Sequence, residues 1–243
     1  PLGYGLGNYN YALMEQLADV GNGNAAYIDS LREAQKVLVN EMQSTLLTIA
    51  KDVKIQIEFN PEQVSEYRLI GYQNRILKDE DFNNDKVDAG DIGAGHTVTA
   101  LYEIALTDSK AEQLPSLRYQ PQSTTNTKAI NNSNELAFIK LRYKMPNTDN
   151  SIQLSQAVTL NQVKANFAQA SDNLKFASAV AASAQLLSHG HYLQQWSYSD
   201  VLATARAAKG ADPHGYRGEF IALIELAQQL SDANVINTAA IAH

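Results

Sequence analysis

Apolar and polar residues alternate singly at Val53, Ile55, Ile57 and Phe59, with Lys54, Gln56 and Glu58 between them. That period of two predicts a strand with one face buried and the other wet. Pro61 stops it, because proline donates no ladder hydrogen bond. The same period places strands at residues 67–72, 97–106, 136–145 and 151–158. In the third strand Val98, Ala100, Tyr102, Ile104 and Leu106 share a face. In the fourth, Ile139, Leu141, Tyr143 and Met145 point inward, and Lys140, Arg142 and Lys144 outward. No helical period separates these strands and their connections are long and polar. An antiparallel β-sandwich over 51–158 is expected, not a strand–helix–strand sheet. Residues 120–134, rich in Ser, Thr and Asn, read as an exposed, mobile loop.

The flanks follow a helical period. Residues 3–8 read as the end of a buried strand and a turn, and a helix follows over about 9–20. A Gly/Asn turn at 21–24 and a short apolar piece at 25–28 lead to a long helix opening at Ser30. Its stripe is Leu31, Ala34, Leu38, Met42, Thr45, Leu46 and Ile49. Ser30 with Glu33 gives a capping-box pattern. This is one and a half units of strand–helix alternation, whereas a parallel sheet needs several units to bury its strands. With Pro1 rather than Met at the start, the expectation is an excised or processed piece. Leu2, Leu6, Leu13 and Leu17 should then pack on the C-terminal helices, on the sandwich or on another copy of the chain, so a homo-oligomer through this unit is one expectation.

Beyond residue 159 the chain is Ala-rich. Phe176, Ala179, Val180, Ser183 and Leu187 form one stripe, and Tyr198, Val201, Leu202, Ala205 and Ala208 a second behind a Ser197/Asp200 capping box. Asp212-Pro213 opens a third helix with Phe220, Leu223, Ile224, Ala227 and Leu230 on its stripe. Short links join three helices into a small bundle. The expected class is α+β: a strand–helix remnant at 1–50, a β-sandwich at 51–158 and a helical region at 159–243.

Composition narrows the function. The net charge is −7 and the pI near 5.2, which argues against non-specific nucleic-acid binding. There is no cysteine, which removes disulfides, thiolate zinc sites and thiol nucleophiles. No apolar run is long enough to span a membrane.

Three phrases carry a family resemblance: GLGNYNYALMEQLAD at 5–19, DFNNDKVDAGDIGAGHTVTALYEI at 81–104 and ADPHGYRGEF at 211–220. The chain resembles the C-terminal part of bacterial von Willebrand factor type A (VWA) proteins, and residues 3–38 resemble the last strand and last two helices of the VWA domain itself. The resemblance implies a partner protein bound through a divalent metal, Mg or Ca, held by a D-x-S-x-S loop with help from a Thr and an Asp. No D-x-S-x-S occurs in this sequence, so that site is expected upstream and no cofactor within the chain. It also implies a cell-envelope or periplasmic setting.

Candidate chemistry is sparse. Gly3-x-Gly5-x-Gly7 lacks the third spacing of a dinucleotide loop and suits a tight strand-to-helix turn, with Asn8 or Asn10 as cap. Asp81-x-Asn83-x-Asp85 begins like an EF-hand, but Lys86 and Ile92 stand where Gly and Glu are diagnostic. Asp88 and Asp91 leave a looser calcium site as an alternative to a solvated acidic turn. Gly90, Gly93 and Gly95 suit a bulge or bend, and His96 after them is a base without a motif partner. His189 and His191 at a helix end suit the helix dipole better than a metal. The basic row Lys140, Arg142 and Lys144 could meet an acidic partner or serve solubility. The first expectation is a non-enzymatic interaction module or structural brace without catalytic residues. The alternative is a ligand- or calcium-binding β-domain working at residues 81–96.

Overall fold

The alternation around Val53 becomes the longest strand of an α+β fold. The computed structural model describes residues 1–5, 7, 9–21, 23–71, 76–112, 134–188, 190 and 196–241, with backbone alone at 43 and 233–241. The expected features at Leu6, Asn8, Tyr72, His189, His191 and residues 120–133 lie outside them. The chain forms two compact units: residues 1–66, 73–98 and 105–160, and residues 67–72, 99–104 and 161–243.

The first unit opens with β1 (Leu2–Tyr4), α1 (Tyr11–Val20) and β2 (Ala26–Ile28). β1 and β2 pair in parallel, Leu2 opposite Ala26 and Tyr4 opposite Ile28, which requires a crossover such as α1. Asn10 caps α1, its Oδ1 accepting the Leu13 N–H at 3.1 Å. A Cβ on Gly3 would strike the Tyr9 ring, so a larger residue there requires that ring to move. Leu2, Leu13 and Leu17 are 40%, 50% and 53% exposed in the single chain.

The long helix from Ser30 is broken. α2 (Leu31–Gln35) gives way to a π-helical turn (Lys36–Asn40) and then α3 (Met42–Leu46). The π turn inserts a residue into the helical ladder and shifts its phase. Ile49, counted on the helical stripe, lies instead in β3 (Thr48–Phe59). Ser30 Oγ accepts the Glu33 N–H, and the Glu33 carboxylate takes Lys36 Nζ at 3.0 Å.

Four strands form an antiparallel sheet in the order β5 (Gly90–Gly93), β3, β7 (Glu135–Lys144), β8 (Ser151–Thr159). A second, two-stranded sheet pairs β4 (Val64–Ile70) with β6 (Leu101–Leu106), so the strand expected from residue 97 begins at 101. Gly93 is buried under α3, where a Cβ would meet the Ser44 carbonyl. The predicted facing fails most sharply in β3, where Lys54 is buried at 4% exposure while Ile55 is 47% exposed, and Val98, Leu106 and Met145, expected inside, are exposed as well.

In the second unit, α4 (Asp172–Leu187), α5 (Tyr198–Ala207) and α6 (Tyr216–Ile241) enclose a core of Ala179, Val201, Leu202, Ala205, Ile221 and Ile224. The small residues expected on the α4 and α5 stripes are inside. On α6 the expected Ile224 is buried and Phe220 packs on the core, but Leu223 and Leu230 are about 60% exposed, and Ile221, outside the predicted stripe, is buried in their stead. The ring of Phe176 packs edge-on to Phe220 at 5.3 Å between centroids.

Candidate functional site

A bulge in β3 organises the polar side of the first unit. The β3–β7 register slips between Lys51 and Lys54, and the β3–β5 register slips between Ala50 and Val53. Asp52 lies inside the slip at φ 51°, a left-handed conformation that a short polar residue tolerates better than most. The bulge aims its peptide and carboxylate at the segment before β5. Ala89 N–H donates to Asp52 Oδ1 and Asp52 N–H donates to Asp91 Oδ1, both at 3.2 Å. Asp88 also hydrogen-bonds Asp52.

The basic row of β7 meets this segment. Lys144 Nζ donates to Asp52 Oδ2 at 2.7 Å and to the Asp85 carbonyl at 2.9 Å. Arg142 donates to both carboxylate oxygens of Asp85, at 3.0 and 3.1 Å, and to Asn83 Oδ1 at 3.1 Å. Ser151 Oγ donates to the same Asp85 carboxylate. Lys54, paired with Arg142 across the ladder, donates from Nζ to the carbonyls of Asp81 and Asn84 at 3.2 and 2.6 Å. Phe82, 2% exposed, anchors the turn between those two carbonyls.

These contacts set the titration. The hydroxyl of Ser151 and the charge of Arg142 hold Asp85 below the usual carboxylate range, against a smaller effect of burial. Burial pushes Asp52 upward, but Lys144, the Ala89 N–H and Asp88 together overcome it and lower it. Lys144 is raised in turn, chiefly by its hydrogen bond to Asp52.

The acidic string is therefore the counter-charge of the sheet's own basic row. Asp81 offers a backbone carbonyl, Asn83 an amide oxygen, Asp85 a carboxylate to Arg142, and Asp88 and Asp91 meet Asp52. Among the described residues no three His, Cys, Asp or Glu side chains gather as a metal-ligand group. His96 is exposed after a turn, its backbone N–H donating to the Gly93 carbonyl at 3.1 Å. Lys140 pairs with Glu58 at 3.7 Å. The outward-facing row expected from the alternation is thus largely covered, because the polar segment of residues 81–91, far earlier in the chain, lies over it.

The second unit holds a centre that periodicity does not reveal. Asp212, at φ 45°, accepts the N–H groups of Arg217 and Gly218 at 3.1 and 2.8 Å and so caps α6, which starts at Tyr216 and not at Pro213. Burial pushes Asp212 upward, and those two N–H groups with the charges of Lys209 and Arg217 together outweigh it and lower it. Arg217 donates to the Ala208 carbonyl past the end of α5 at 2.8 Å and to Asn173 Oδ1 on α4 at 2.7 Å. Its guanidinium lies 4.7 Å from the Phe176 ring centroid. The word ADPHGYRGEF is thus a three-helix fastener, and its D-P-x-G-x-R spacing was the available signal. A groove of about 420 Å³ beside α5 and α6 is lined by Arg206 and Glu225, which pair at 2.6 Å, and by Gln228, which bonds Ser199 at 2.9 Å. No helix among the described residues is long and apolar enough to cross a membrane.

An antiparallel sheet with an ion-paired face and a three-helix unit, joined in one α+β chain, thus has polar centres that hold its own segments. The chain belongs to the family described as "Uncharacterized protein YfbK, C-terminal", which matches residues 44–230. It is similar to "Uncharacterized protein YfbK" of Escherichia coli (strain K12), 48% identical over 232 residues. That match covers 95% of this chain and 39% of the relative. No solved structure matches it.

Proposed function

We propose that the chain is a non-enzymatic accessory region of a VWA protein, supporting or bracing partner binding by a metal-dependent face that lies outside this region. The observation that carries this is the parallel β1–β2 pair joined through α1, ahead of antiparallel sheets. Parallel pairs belong to strand–helix domains with several strands, so residues 1–28 fit the last unit of such a domain. The exposed Leu2, Leu13 and Leu17 agree with a sheet whose neighbours lie elsewhere, supplied by the longer chain or by a second copy. The polar centres point the same way: the acidic and basic side chains of 52–91 and 140–144 are spent on each other, which suits a scaffold better than a turnover site. The family description names no activity.

The test is partner capture by the longer polypeptide, by its metal-loop variant and by a variant lacking the region equivalent to residues 44–230. Capture weakened by both changes supports the reading. Capture indifferent to both sinks it.

A further inference from the structure

Lys54 is a charged residue where the sheet should be dry. It is 4% exposed, and a buried ammonium costs several kcal/mol unless its donors are met. Its donors end on peptide oxygens inside the 79–91 turn. The turn is wound so that those oxygens are available. Asp81 N–H bonds the Lys78 carbonyl at 2.9 Å, Asn84 N–H the Asp81 carbonyl at 3.2 Å, and Val87 N–H the Asn84 carbonyl at 3.2 Å. Each of these carbonyls has a second lone pair, and the two that face β3 receive Lys54. Backbone carbonyls from a tight acidic turn are among the oxygens that wrap bound cations, and here two of them meet the ammonium. Beside them Arg142 sits on Asp85, and Lys144 on Asp52 and the Asp85 carbonyl.

We propose that Lys54 is the resident cation of this turn. Its ammonium holds, from within the chain, the place that a bound ion takes in a metal-stabilised loop, and a chain that lacks it takes up a primary alkylammonium ion there. The inference stands apart from the VWA reading, since it concerns only how residues 79–91 are held on the sheet.

Two variants and the wild-type chain test it. Lys54→Ala leaves a channel with the oxygens at its end, so amide exchange of residues 81–91 should rise about tenfold or more. Added ethylammonium chloride, short enough to sit beyond the retained Cβ, should reverse that rise with saturation, whereas ethanol, of like shape without charge, should not. Lys54→Met fills the channel without charge; exchange should rise and ethylammonium should do nothing. Wild-type exchange in Lys54→Met, or equal rescue by ethanol, overturns the proposal, because apolar filling would then suffice. Should Lys54→Ala fail to fold, the wild-type chain still answers. Labelled with ¹⁵N-lysine, it should show a slowly exchanging ammonium signal with cross-peaks to the amides of residues 81–84. Absence of that signal, or its loss when calcium chloride raises the melting temperature, overturns the proposal.

Discussion

Asp52 combines two demands that ordinarily select different residues. Its φ of 51° favours glycine, while its carboxylate serves Ala89 and Lys144. Asp52→Gly and Asp52→Ala lose the same hydrogen bonds, but alanine also carries a Cβ into the left-handed region. The Ala variant should be about 1 kcal/mol less stable than the Gly variant in urea unfolding, the reverse of the usual order within a strand. Equal stabilities would show that the bulge relaxes. The pair with Lys144 has a defined pH window. Asp52 is depressed, so its contribution is present above the unfolded carboxylate range and is lost as pH falls below about 4. Lys144 is raised, so its share persists from acid through neutral pH and is lost only in strong alkali. A double-mutant cycle of Asp52→Asn and Lys144→Met should therefore show coupling at neutral pH that fades as pH falls through the lowered Asp52 value. Coupling unchanged in acid would contradict the pairing. Little of this is legible in sequence. Lys54 reads as solvent-facing because charged residues ordinarily are, and what buries it is a turn 27 to 30 positions further on.

At the scale of elements, signals written in neighbouring residues proved readable. The Ser197/Asp200 box is formed in both directions, and the Ser197 hydroxyl with its backbone N–H holds Asp200 below the usual carboxylate range. Ser197→Ala should cost about 1 kcal/mol, read by thermal or denaturant unfolding. The bounds expected for β7 and β8 are met to within a residue, and the two strands pair with Ile139 opposite Gln156 and Lys144 opposite Ser151. Phase within a helix is less readable when a distant fastener sets it. Asp212 and Arg217 fix where α6 begins and how it is rotated, so Ile224 is inside and Leu223 outside. Ile224→Ala should cost about 2–4 kcal/mol and Leu223→Ala well under 1 kcal/mol by the same measurement. Comparable losses would restore the stripe read from spacing. The π turn at 36–40 escaped detection for a related reason: an inserted residue keeps the composition of a helix while spoiling its period.

For the whole molecule, four carboxylates of depressed pKa decide the acid limb of stability. Asp52 and Asp85 lie in the first unit, and Asp200 and Asp212 in the second. Each favours the fold above its unfolded range and withdraws that support as pH falls through its lowered value. The melting temperature should hold from neutral to about pH 5 and drop steeply below about pH 4. A flat profile to pH 2 would show that the ion pairs contribute little. The class of the fold was legible because period two and period 3.6 occupy separate stretches of the chain. The polar centres were not, because each joins residues far apart in sequence.

That distance has a consequence in time. β3 and β7 pair from Phe59 opposite Ala137 to Lys51 opposite Lys144, across the whole intervening stretch. Closing so long a loop is slow, whereas α4, α5 and α6 follow one another closely and fold through near contacts. The 79–91 turn must wait longest, since Lys54 arrives with one strand and Arg142 with the other. Pulse-labelled refolding should protect the helical amides first and residues 81–91 last. Substitutions of Arg142 should then hasten unfolding while leaving the refolding rate almost untouched, the signature of a latch that closes after the barrier has been crossed.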